Sequence, residues 1–215
     1  MTLVSRGRFI TFEGGEGTGK STQARLLAER LNSAGREAVL TREPGGSPGA
    51  EAIRALLVTG SVDRWSATTE TLMMYAARRD HIERLIGPAL DRGAWVVCDR
   101  FADSTRAYQG AAGGAPAGLI AALEREVLGD VRPDLTLVLD LPPADGLARA
   151  AGRGDAETRF ESKGAAFHAR LRDAFLEIAR REPGRCHVIE AVGGVEAVAA
   201  QVWSAVQARL GVSAS

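Results

Sequence analysis

Cysteine is scarce in this chain of 215 residues, with two in all. Cys98 and Cys186 lie far apart on apolar, strand-like runs. Buried free thiols are therefore expected, since a metal site would need more ligands at closer spacing. No window approaches the roughly 20 apolar residues of a membrane-spanning helix. The opening stretch Met1-Thr2-Leu3-Val4-Ser5-Arg6-Gly7-Arg8 lacks the apolar core of a secretory signal. A cytoplasmic protein with no membrane partner is expected. Excess charge is also missing: 27 basic residues face 27 acidic ones. Nothing in that balance favours nucleic acid or an anionic surface as a partner. Internal repeats, coiled-coil heptads and long linkers are absent too. The composition, 45% apolar and 25% charged, is that of an ordinary globular protein. The length suits a single domain over 1–215 with a small insertion.

The most informative segment is Gly14-Gly15-Glu16-Gly17-Thr18-Gly19-Lys20-Ser21, a complete G-x-x-x-x-G-K-S loop. The apolar run Phe9-Ile10-Thr11-Phe12 precedes it and the helical pattern Gln23-Ala24-Arg25-Leu26-Leu27-Ala28 follows. A strand thus delivers the loop and a helix leaves it, aiming backbone N–H groups and the helix N-terminus at phosphates. Glycine permits the φ angles and the close approach that such a cradle needs. Lys20 can reach the β- and γ-phosphates, and the Ser21 hydroxyl can hold Mg2+. A plain Gly-rich turn would need neither residue. A dinucleotide fingerprint fits worse, because its third glycine is a lysine here. Binding of a nucleoside triphosphate is implied.

Five apolar runs read as strands: Arg8 to Glu13, Ala38 to Thr41, Trp95 to Asp99, Leu135 to Leu141 and Cys186 to Glu190. Helical patterns fill the gaps over Thr22 to Ala34, Ala50 to Thr59, Glu70 to Arg92, Pro116 to Leu128, Gly164 to Arg181 and Val195 to Leu210. This alternation predicts an α/β fold, a five-stranded parallel sheet covered by helices on both faces. Ligands in such sheets sit beyond the carboxyl ends of the strands, where Glu13, Arg42, Glu43, Asp99, Arg100 and Asp140 fall. Gly110 to Gly118 reads as a flexible connection. Gly152-Arg153-Gly154-Asp155 interrupts a helical pattern that begins near Ala144.

Several constellations there suit phosphate chemistry. In Thr41-Arg42-Glu43-Pro44-Gly45-Gly46, the proline and glycines force a turn that fixes Arg42 and Glu43. Asp99 closes an apolar strand beside the phosphate loop, well placed for Mg2+ or its waters. Arg100 next to it offers a planar fork for phosphate, although an Asp–Arg pair could also simply cap the strand. Of Arg78 and Arg79, only one can share the helix face of Met74 and Tyr75 most closely. His81 has no partner at metal-ligand spacing, so a helix-surface histidine is expected. Arg149 and Arg153 are four apart, with Arg159 further on. They suit a lid that closes over ATP, or equally a solvated helix paired with Glu157 and Glu161.

The arginines separate reaction types. Arg42, Arg78 and Arg100 come from three elements, more cationic capacity than one triphosphate with Mg2+ requires. A second anionic ligand, a phosphate acceptor, is implied. A phosphate monoester is largely dianionic at neutral pH, with a second pKa of about 6. It needs charge cancellation and positioning, not a general base, and no kinase-type His-Arg-Asp base motif is present.

Taken together, these residues resemble the thymidylate kinase family over nearly the whole chain. The carriers are Phe12-Glu13-Gly14 with the phosphate loop, the Thr41 to Gly46 turn, Tyr75-Ala76-Ala77-Arg78, and Asp99 through Gly110. The resemblance implies a P-loop NTPase fold, three-layered αβα, with a small lid over about 144–163. The implied activity is transfer of the γ-phosphate of ATP to dTMP, with Mg2+ as cofactor and a homodimer formed through the long helices. ATP would be held by Gly14, Gly15, Glu16, Gly17, Thr18, Gly19, Lys20, Ser21 and Thr22. Lys20, Arg100, Glu16, Arg149 and Arg153 would be catalytic, and Ser21, Glu16 and Asp99 would serve the metal. For dTMP the resemblance implies Arg42, Glu43, Pro44, Met74, Arg78 and Arg100. It adds Ser104 and Thr105 at the thymine edge, Tyr108 crowding the 2' position, and Gln109. A cis Glu43–Pro44 bond is also implied. Gly17 stands where some members have a loop arginine, so the basic lid is the bacterial-type arrangement. Met74 replaces the usual stacking phenylalanine and would define the base plane less firmly. Another nucleoside monophosphate kinase is the alternative. A nucleotide-dependent switch is a further one, disfavoured by surplus arginines and the lack of an Asn-Lys-x-Asp guanine motif.

Overall fold

The computed structural model describes residues 6–151, 159–160 and 162–212. Five strands form one all-parallel sheet in the order β2-β3-β1-β4-β5: β1 Phe9–Glu13, β2 Ala38–Arg42, β3 Trp95–Asp99, β4 Leu135–Asp140 and β5 Cys186–Glu190. Each lies within one or two residues of its expected span. The apolar runs are continuous because both sheet faces are covered. Successive residues serve opposite layers: Ile10, Phe12, Val97, Leu135, Leu137 and Leu139 pack with α1 (Lys20–Ser33) and α9 (Val195–Leu210). On the other face Phe9, Val96 and Cys98 pack with α3 (Ala67–His81), α4 (Gly87–Asp91) and α6 (Ala117–Leu128). Val138 joins α8 (Ala165–Arg181) in a third cluster. Burying each such side chain stabilises the fold by about 1.5–3 kcal/mol. Both cysteines are buried and free.

Helix α2 spans Pro48–Val58 and α7 spans Pro143–Ala151. Ser66 caps α3, its hydroxyl accepting from Thr69 N at 3.1 Å. The single long helix expected over 70–92 is built of three pieces: α3, a π-helical turn at Ile82–Ile86, then α4. Pro88, early in α4, has no N–H, and its ring would crowd the carbonyl four residues back in an α-helix. The wider π turn relieves that crowding. A helix was not expected after Phe101. There the chain forms α5 (Ala102–Thr105) and a second π turn, Arg106–Ala111. The expected flexible connection is thus shortened, since Gly110 and Ala111 belong to that turn.

Candidate active site

Parallel pairing sets the site. Phe12 is in register with Asp99, and so is Arg42 from the other side. The carboxyl ends of β1, β2 and β3 therefore deliver Glu13, Arg42 and Asp99 to one edge. The loop from Gly14 to Gly19 crosses that edge and enters α1 through Gly19, whose φ of 91° is left-handed. Gly17 also has a positive φ, 67°, and its absent side chain leaves room for α7. A Cβ there would meet the Gly146 carbonyl at 1.8 Å. Glycine is required at this position on both counts.

Lys20 is buried, with Nζ donating to Gly15 O at 2.6 Å and Thr18 Oγ1 at 3.3 Å. Burial pulls its ammonium down to about 8, aided by the Arg100 charge and opposed by Glu16, Asp99 and Glu13. Ser21 Oγ donates to Asp99 Oδ2 at 2.5 Å, while Asp99 Oδ1 is buried without a partner. An unsatisfied buried carboxylate oxygen beside a hydroxyl calls for a donor or cation.

Arg100, the one non-glycine residue with positive φ among the described residues (71°), turns its guanidinium back over the loop. It donates to Gly14 O at 3.0 Å and to both Glu16 oxygens at 3.2 Å. The Tyr108 hydroxyl donates to Glu16 Oε1 at 2.6 Å, and Arg100 lies over the Tyr108 ring. Burial pushes the Glu16 carboxyl up, but Arg100, Lys20 and the Tyr108 hydrogen bond outweigh it and hold it at about 2. Below them Glu13 is fully buried and accepts from Phe101 N, Ser104 N and Ser104 Oγ. Burial and then the Asp103 charge push its carboxyl up.

The third group surrounds Arg78. Its Nε donates to Glu43 Oε2 at 2.7 Å, and Nη2 donates to Phe101 O and Thr105 Oγ1. Nη1 is buried with no partner. Arg79, by contrast, is exposed and pairs with Glu83 one helical turn on. The Glu43–Pro44 bond is cis. His81 corrects the expectation of a surface histidine. It is fully buried, with Nδ1 at 3.0 Å from Glu43 Oε1 and Nε2 at 2.8 Å from Thr41 Oγ1. The turn after β2 folds over α3 and buries that face of the helix.

These groups open onto one cavity of about 260 Å³, lined by Glu16, Gly17, Gly19, Lys20, Ser21, Arg42, Glu43, Pro44, Met74, Arg78, Asp99, Arg100, Ser104, Thr105, Tyr108 and Gln109. Gly14, Gly15, Thr18 and Thr22 complete the loop and its entry into α1 without lining the cavity. Arg42 is half-exposed, pairing with Glu51 at 3.1 Å. Arg54, Val58 and Phe160 line the cavity too, as residues that sequence reasoning missed. Phe160 stands edge-on to Tyr108 with centroids 5.7 Å apart. It is the only aromatic residue between Pro143 and Gly164, a signal that could have been read.

Of the expected lid arginines, Arg149 and Arg159 do not line the cavity. Arg149 is aimed at the carbonyls of Ala191 and Val192, at 3.3 and 3.5 Å. Arg153 lies outside the described residues. Arg159 is not a free lid cation, being buried on the carbonyls of Leu57, Ser61 and Val62 and paired with Glu70 at 2.5 Å.

A family model described as thymidylate kinase matches residues 12–202. The chain belongs to the thymidylate kinase family. A thymidylate kinase from Caulobacter vibrioides is 66% identical, the match covering 97% of this chain and 100% of that one. Another from Nitrobacter hamburgensis is 56% identical over 98% of this chain and 92% of its own. A crystal structure of thymidylate kinase from Ehrlichia chaffeensis is 36% identical, with a TM-score of 0.78. That likeness covers 94% of this chain and 100% of the other. The matched span takes in every constellation by which the sequence resembled thymidylate kinases, from Phe12 at the loop to Gly110.

Proposed function

We propose that the chain transfers the γ-phosphoryl group of ATP to dTMP, forming dTDP and ADP. The observation that carries this is one cavity with two cationic ends. Lys20 and the phosphate loop form one end, and Arg42 with the unpartnered Nη1 of Arg78 the other. A dTMP phosphate oxygen attacks the γ-phosphorus as its bond to the β-γ bridging oxygen breaks, and ADP departs. The acceptor is already ionised, so positioning and charge stabilisation are the protein's contribution. Lys20 and Arg100 offset the charge that gathers between the phosphates. Glu16, kept ionised, holds Arg100 and Tyr108 in place.

Mg2+ suits the donor set. Ser21 Oγ and the orphaned Asp99 Oδ1 would hold it, with Glu16 further out. No cluster of three or more His, Cys, Asp or Glu ligands occurs among the described residues, in keeping with an ion bound mainly through phosphates and water. When bound it would neutralise β- and γ-phosphate oxygens.

The single domain carries a lid over about 144–163, with Arg149 and Arg153 acting on the donor phosphates. That role requires Arg149 to leave the Ala191 and Val192 carbonyls. No helix among the described residues is long and apolar enough to cross a membrane, and we place the enzyme in the cytoplasm, acting as a homodimer. Both are expectations from the family. Light scattering of purified protein tests the second, and a monomer at micromolar concentration would reject it. Met74 at the base end favours one second reading, a nucleoside monophosphate kinase of broader base preference. A coupled ADP-release assay over dTMP, dUMP, dCMP, AMP, CMP, UMP and GMP decides between them. dTMP should be preferred, and equal turnover of the others would reject the thymidylate reading.

A further inference from the structure

A buried polar chain leads from the lid side of the cavity to its base end. Arg159 has its side chain 1% exposed and Glu70 4% exposed, and they pair through Glu70 Oε1 at 2.5 Å. The other oxygen, Oε2, accepts from Gln109 Nε2 at 3.1 Å. Gln109 is itself buried and lines the cavity. A glutamine amide can turn either end toward a ligand, and ordinarily nothing fixes the choice. Here the chemistry fixes it. A carboxylate paired with a guanidinium only accepts hydrogen bonds, so the amide NH2 must face Glu70. The NH2 end is thereby tied to Glu70, and the carbonyl oxygen is the end turned away from it, free to accept from the base.

We propose that Glu70, held by Arg159, is a positioning residue that sets base selectivity by presenting Gln109 to the cavity as an acceptor. The proposal rests on the reading of this cavity as a nucleoside monophosphate site. In the same cavity, Arg78 Nη1 is a buried donor without a partner. An acceptor and a donor lining the same cavity match a base edge that carries N3–H beside a carbonyl oxygen, as thymine and uracil do. Cytosine inverts both, with an unprotonated N3 and an amino group. Its binding would leave buried polar groups unpaired, the most effective way for a pocket to reject an analogue. Glu70 thereby excludes cytosine without touching it. Arg159 supplies the constraint from outside the cavity, since one carbonyl of α2 (Leu57) and two of the α2–α3 connection (Ser61 and Val62) fix its guanidinium.

The test is the ratio of kcat/KM for dTMP over dCMP in the wild-type enzyme, Glu70→Gln and Gln109→Met, with KM for ATP alongside. Glu70→Gln keeps the side-chain shape but can donate as well as accept, so the Gln109 amide is free to turn. The ratio should fall on the order of tenfold or more in both variants, the worth of one hydrogen bond to a buried group, with KM for ATP within about twofold of wild type. A merely structural role would lower both substrates together, and a ratio within twofold of wild type in folded Glu70→Gln overturns the proposal. Should Glu70→Gln not fold, Gln109→Met carries the test alone, and an unchanged ratio there rejects it equally. A wild-type enzyme inactive on dTMP would instead overturn the proposed function, so the two failures are distinct.

Discussion

Lys20 rests on its own loop, its ammonium 2.6 Å from the Gly15 carbonyl. It is already desolvated, so moving onto a phosphate exchanges one acceptor for a better one. Lys20→Ala should lower kcat on the order of 10²–10³-fold, as loss of one preorganised cationic donor does. The melting temperature should stay near wild type, because among the described residues the Lys20 ammonium bonds only to neutral oxygens of its own loop. Turnover within tenfold of wild type would remove Lys20 from the mechanism. His81 behaves in the opposite way. Its two ring nitrogens bridge Thr41 and Glu43, and Glu43 in turn holds Arg78. His81→Ala should cost about 2–4 kcal/mol of stability, from a buried cavity and two lost hydrogen bonds. It should also raise KM for dTMP as Arg78 loosens. Urea unfolding at unchanged stability would show that this bridge is unimportant. Helix periodicity separates Arg78 from Arg79 only by which face is apolar. It could not show that a turn forty residues upstream buries His81.

The elements were legible to different degrees for physical reasons. Strands β1, β3 and β4 stand out because burial on both faces demands unbroken apolar runs between turns, and the edge strands β2 and β5 are less buried but still flanked by clear turn signals. The segment Ala102 to Ala111 did not, because its helical turns are short and rich in alanine and polar residues. It is held by Arg78, Glu13 and Arg100 from other elements rather than by its own periodicity. Arg159 was expected on a basic lid or a solvated helix with Arg149 and Arg153, since a run of arginines between glycines reveals charge but not what covers it. The contact between α7 and the phosphate loop is invisible in sequence as well, being backbone against backbone. Gly17 and Gly146 each lack room for a methyl group, a Cβ on Gly146 meeting the Glu16 carbonyl at 2.3 Å. Gly146→Ala should push α7 off the loop and raise KM for ATP about tenfold, equivalent to roughly 1.4 kcal/mol of lost binding. Gly118→Ala, in α6 with open space around the new methyl group, should instead stabilise the fold by about 0.5–1 kcal/mol. Equal effects of the two changes on ATP binding would refute the packing argument.

Across the whole molecule the formal charge is zero, yet the cleft concentrates charges that burial has displaced from their ordinary titration ranges. Lys20 is the informative case. Its pKa falls from 10.5 to about 8 in the fold, chiefly through burial, so between those values the folded chain binds fewer protons there than the unfolded chain. Stability from this group is complete above 10.5 and is lost as pH falls through 8. A polyphosphate beside the ammonium reverses the balance, favouring the charged form. At pH 9 ATP is fully ionised, its last phosphate proton having a pKa of about 6. Any proton taken up on binding must therefore come to rest on the protein. Calorimetry of Mg2+·ATP binding at pH 9, repeated in buffers of different ionisation enthalpy, should register uptake of most of one proton. Lys20→Met should bind ATP more weakly and take up none. If wild type and variant take up the same amount, the phosphate-loop lysine is already charged before ATP arrives, and the electrostatic account of this cleft is wrong.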